Sequence, residues 1–191
     1  MAVADASVVA ITVVPERFTL VDYDPAAIAE VAADLRARVG LPTDLALQIQ
    51  VDETTPLGRA YLDSTDPVVL IIESGAFEHL HRPRQFDPER SAEVLGRLLF
   101  RLRDRRDAAF GDPPPDDTLT LALSTAWDVY AMGRLSRMGY TAQRPRRLYQ
   151  FRVRHGFSDE VDAIFARLWD AENLTWPAIE DLSAQATTAA T

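Results

Sequence analysis

VVLIIESG, residues 68–75, sets the architecture of the first half of the chain. Five consecutive aliphatic residues leave no polar face. The run is too short for a buried helix, so it is expected to be a strand with neighbours on both sides. The turn sequence DSTDP (63–67) precedes it, and Glu73-Ser74-Gly75 ends it. Before the turn, GRAYLD (58–63) reads as a shorter strand, linked closely enough to VVLII for an antiparallel hairpin. Further upstream, Leu45, Leu47, Ile49 and Val51 alternate with Ala46, Gln48 and Gln50, the period of a strand with one buried face. SVVAITVV (7–14) and RFTLVDY (17–23) add one or two more strands on their β-branched and aromatic content.

Helices begin on Asp-Pro pairs. Asp24 can accept from first-turn amides and Pro25 sits where its missing N–H costs nothing. Ile28, Val31, Ala32, Leu35 and Val39 then recur at helical spacing up to Gly40, which predicts a helix over 25–39. Asp87-Pro88 repeats this logic for a helix over 88–107, with Val94, Leu95, Leu98, Leu99 and Leu102 on one face and arginines on the others. FGDPPPDD (110–117) excludes helix and is the one plausible internal boundary. Beyond it, Leu119, Leu123, Ala126, Trp127 and Tyr130 share a helical face, with Gly133 a weak point. Ser158 and Thr175 cap two further helices. Residues 183–191 hold no large apolar group and are expected to form a disordered tail. The expectation is therefore one α+β domain over 1–182: a small, mostly antiparallel sheet, helices packed on it, and a mainly helical C-terminal half. A subdivision is expected only near 111–117.

Composition excludes several classes of chemistry. With 47% hydrophobic and 26% charged residues in 191, the chain has the make-up of an ordinary globular domain. All 20 basic residues are arginine, so lysine Schiff bases and P-loop lysines are excluded, and the absence of cysteine removes thiolate, disulfide and Fe–S chemistry. The N-terminus carries Asp5 and no early basic residue, a poor signal peptide. No apolar run approaches the roughly 20 residues that span a bilayer. The expected location is the cytoplasm, with no membrane partner. Neither a GxSxG elbow nor a Gly-rich phosphate loop is present, so no cofactor is expected.

His79 and His81 alternate on EHLHRPR and would project to one side of an extended segment. There they could share a metal with Glu73, Glu78 or His155. The ordinary reading is a surface loop. Asp52, Glu53 and Glu73 flank strands; they converge as a general acid and base only if those strands are parallel. Hairpin-length spacing favours the antiparallel case, with the acids at opposite ends. Trp127, Tyr130, Trp169 and Trp176 are expected to fill the core.

The largest anomaly is charge. Val129–Ser158 holds seven arginines and no acid, a local +7 in a chain of net −9, which leaves −16 elsewhere. At its centre, QRPRRLYQFRVRHGF (143–157) interleaves five arginines with aromatic rings. A strand places Tyr149, Phe151 and Val153 on one face; a helix groups Leu148, Phe151 and His155. Pro145 and the β-favouring residues point to extended structure. Arg144, Arg146, Arg147, Arg152 and Arg154, with Tyr149, are the candidate anion- or partner-binding residues. They would serve an acidic protein or a second copy of the chain, unless internal acids neutralise them. The global charge argues against nucleic acid.

The order helix (25–39), strands (45–51, 58–63, 68–72), helix (88–107) resembles that of small zincin-like metallopeptidase domains, over about the first 110 residues. In that family a strand of this kind precedes the helix bearing HExxH. Here VLGRLLFRLRD has Arg97 and Arg101 at the histidine spacing and no glutamate after Arg97. The resemblance thus implies a metal-free scaffold. Without a complete catalytic set, the function expected is that of a non-enzymatic interaction module. A metal-dependent or ligand-binding site near His79 and His81 is the alternative, and nucleic-acid binding the second.

Overall fold

The computed structural model describes residues 11–189, and these divide into two compact units, the first ending at Leu99 and the second starting at Phe100. The first contains β1 (Ile11–Val14), α1 (Pro25–Val39), β2 (Leu47–Asp52), β3 (Ala60–Thr65), β4 (Val68–Glu73), β5 (Glu78–His79) and β6 (Arg82–Phe86). It ends within α2 (Pro88–Arg106). The fold is α+β, with a four-stranded sheet ordered β1-β2-β4-β3 and a separate β5-β6 pair. As its apolar sequence requires, β4 is flanked on both sides.

The four-stranded sheet is mixed rather than mostly antiparallel. Strands β1, β2 and β4 are parallel, and only β3, on the edge, runs against them. The DSTDP hairpin is present, but residues 53–59 carry the chain to the outer edge before it returns. That path inserts β4 between β2 and β3 and makes β2 and β4 parallel. The segment 17–23, expected to be a strand, is a succession of bends ending in an isolated bridge between Asp22 and Gln85. Ser7–Ala10 of the other expected strand lie outside the described residues.

The caps form as the sequence implies. The Asp24 side chain accepts from the Ala26 amide at 2.9 Å, and Gly40 closes α1 at φ 83°, a left-handed conformation that favours glycine. On the sheet, Leu47, Ile49, Leu70 and Ile72 are buried together with Ile28, Ala32 and Leu35 of α1.

The second unit holds the last turns of α2, then α3 (Leu121–Arg137), α4 (Arg144–His155), α5 (Asp159–Asp170) and α6 (Trp176–Thr188). Trp127, Tyr130, Trp169 and Trp176 are buried, with Trp127 stacked on Phe110 at 5.6 Å. The proline connector is held in place: Arg105 donates to the carbonyls of Pro113 and Pro114 and to Asp116. The unit boundary accordingly falls earlier than expected, inside α2. Residues 183–188, expected to be disordered, continue α6, because Ser183 and Ala186 find buried positions despite their small size. Ala190 and Thr191 lie outside the described residues. Gly133 is no weak point but a close approach: a Cβ there would stand 2.0 Å from the Trp169 carbonyl oxygen. No helix among the described residues is long and apolar enough to cross a membrane.

Candidate functional site

The arginine-rich segment is a helix. Pro145 occupies one of the first two positions of α4, where it is tolerated, so it starts the helix instead of forbidding it. Gln143 precedes it at φ 44° and Gly156 ends it at φ 119°. The β propensity of Tyr149, Phe151 and Val153 is overridden by burial: Phe151 and His155, one turn apart, are both buried. Their rings stack at 4.0 Å, and Phe151 meets Phe165 edge-on at 5.8 Å. A strand would have put Tyr149 and Val153 beside Phe151; the helix turns them outward.

That outward face is unusually apolar for its charge. Tyr149 is 61% exposed, Val153 48% and Phe157 65%. The Tyr149 and Phe157 rings meet edge-on at 6.1 Å, which links the helix to the residue just past its end. The arginines divide into two groups. Arg152 forms a two-pronged pair with Asp162 of α5, its Nε donating at 2.7 Å. The pair raises the Arg152 pKa and holds the Asp162 carboxyl below its usual range, in both cases chiefly through these hydrogen bonds. Arg147 donates to Gln150 Oε1 at 3.2 Å. Arg144 lies 5.6 Å and 5.8 Å from the ring centres of Phe165 and Trp169, and Arg146 donates to Gln143 Oε1 at 3.5 Å. Among the described residues, Arg144, Arg146 and Arg154 meet no carboxylate.

His155 is held at both ring nitrogens, Nδ1 against the Phe151 carbonyl at 3.1 Å and Nε2 against Ser183 Oγ at 2.9 Å. Burial lowers its pKa. It is thus a satisfied core histidine of the second unit. His79 and His81 lie on the β5-β6 hairpin with ring centres 6.1 Å apart, and His79 Nδ1 accepts from the His81 amide. No group of three or more potential ligands is arranged to hold a metal ion among the described residues.

Asp52 and Glu73 do lie side by side, in register on parallel strands, contrary to the antiparallel expectation. Both serve loops. Asp52 accepts from the Thr54 and Thr55 hydroxyls, and Glu73 from the Arg59 amide. Glu53 clamps the amides of Thr19 and Leu20, which lowers its pKa. Arg97 and Arg101, at the metal-motif spacing, are structural: Arg97 donates to the Ala60 carbonyl, and Arg101 is buried against Ser124 and Asp128.

Sequence reasoning missed the charged centre of the second unit. Asp104 accepts two bonds from Arg134, at 2.6 and 2.7 Å, and a third from Trp127 Nε1 at 2.8 Å. The Arg134 guanidinium lies 3.8 Å from the Tyr130 ring centre. This pair lines a polar cavity of about 200 Å³ bounded also by Arg103, Glu172 and Asn173. The only sequence signal was Asp104, a lone acid among the arginines at the end of α2. Comparison with protein-family models, curated proteins and solved structures gives no match.

Proposed function

We propose that the chain is a non-enzymatic interaction module of the cytoplasm that docks an acidic protein surface on the outer face of α4. One observation carries this reading: Arg146 and Arg154, which meet no carboxylate among the described residues, flank an exposed Tyr149-Val153-Phe157 ridge. Arginine and aromatic side chains are the residue types that dominate interface energetics. Basic groups at the rim steer an acidic partner in, while the apolar ridge supplies buried area. Arg152, held by Asp162, and Arg144, which lies over Phe165 and Trp169, address α5 and belong to the fold, so the docking set narrows to Arg146, Tyr149, Val153, Arg154 and Phe157.

The test is fluorescence anisotropy with a synthetic helical peptide bearing one leucine per turn flanked by glutamates. The expected result is salt-sensitive binding that Tyr149→Ser or Arg146→Gln with Arg154→Gln weakens roughly tenfold or more. Equal binding by the folded variants, or tighter binding of a single-stranded oligonucleotide than of the peptide, overturns the proposal.

A further inference from the structure

Formal charge divides unevenly between the units. The first has sixteen acids against eight arginines, a net −8; the second has thirteen against twelve, a net −1. Most of the surplus that could answer α4 therefore lies in the first unit. Its carboxyl-end loops are built as a surface. Glu53 holds the backbone of Thr19 and Leu20, Asp52 holds Thr54 and Thr55, and Ser74 Oγ donates to the Thr55 carbonyl. Gly75 approaches this loop so closely that a Cβ would stand 2.1 Å from the Pro56 carbonyl oxygen. Out of this fixed backbone project Leu20, 47% exposed, and Leu57, 65% exposed. Residues 15–24 and 52–59 with Glu73 contain six acids against Arg17 and Arg59.

We infer that a second copy of this chain is the acidic partner, its Leu20-Leu57 loop edge seating the α4 ridge. The inference rests on the reading of α4 as a docking face. The two surfaces match in polarity and oppose in charge: exposed aromatic and aliphatic groups flanked by Arg146 and Arg154 on α4, exposed leucines on loops whose acids outnumber their arginines. The two faces are different, so the contact is heterologous. Every open assembly keeps one free face of each kind, one at either end, and so grows with concentration.

Sedimentation velocity on the full chain tests this. The wild-type protein is expected to gain mass with concentration at low ionic strength and to return toward monomer at roughly 0.5 M salt. Arg146→Glu with Arg154→Glu blocks one face, and Leu20→Arg with Leu57→Arg blocks the other; all four positions are exposed, so the fold is retained. Each double variant alone stays monomeric. Mixed in equal amounts they form a two-chain species and nothing larger, because only one productive pairing remains. A wild-type protein that stays monomeric throughout, or a mixture that stays monomeric while both variants are folded by circular dichroism, overturns the inference. If the acidic peptide still binds α4 in that event, the docking reading stands and the partner is a different protein; if it does not, both fall.

Discussion

Asp104 and Arg134 show what a single position does in this chain. Both are buried, and their two parallel hydrogen bonds, with the third from Trp127, replace the water each charge gave up. Removing one partner leaves the other charge stranded. Asp104→Ala should cost about 3–5 kcal/mol of unfolding free energy in urea titrations. Gly133 makes the complementary case. In an open helix, Gly→Ala gains up to about 1 kcal/mol from backbone propensity. Here the added methyl meets backbone, the Trp169 carbonyl, which cannot swing aside, and overpacking of this kind costs about 1–3 kcal/mol. Gly133→Ala should therefore lower the melting temperature, and a rise would show that α3 and α5 separate freely. Neither role is written in residue type alone: a glycine in a helix and an acid beside arginines acquire meaning only from what the fold brings against them.

At the scale of elements, α4 is where the sequence and the structure part. Helices α1 and α2 and strand β4 were legible because periodicity and capping residues agreed. In 143–157, local β propensity and a proline opposed the helical spacing of Phe151 and His155. The burial of those two rings decided the outcome. The order β1-β2-β4-β3 was illegible for another reason, since strand pairing depends on the path of a connecting loop and not on the strands. His155 gives α4 a pH dependence. Burial depresses its pKa in the folded state, so unfolded chains bind its proton more readily, near the ordinary value of about 6.5. Stability should be full above that value and decline as pH falls below it. Carboxylates such as Asp162 and Glu53, also depressed, act only on the far side of about pH 4. Thermal melts between about pH 7 and 5 should show the decline, and His155→Gln should flatten it there while leaving the acid limb. By contrast, Arg146→Gln and Arg154→Gln, on the outer face, should leave the melting temperature unchanged within about 0.5 kcal/mol of stability.

For the whole molecule, the proline-rich connector was the natural place to expect a division. Prolines mark where helix stops, not where contacts stop, and Arg105 ties this connector to the second unit. The units divide instead within one uninterrupted helix. Arg101, Asp104 and Arg105, which organise the second unit, are thus encoded before the connector and not after it. Anyone cutting the gene at the prolines to express the helical half would discard them. A fragment starting at 111 would strand Arg134 and strip Trp127 of its acceptor, whereas one starting at Pro88 keeps every side chain that addresses them. The longer fragment should melt cooperatively by circular dichroism and the shorter one should not, which makes the helix shared by both units the practical limit on how this gene can be divided.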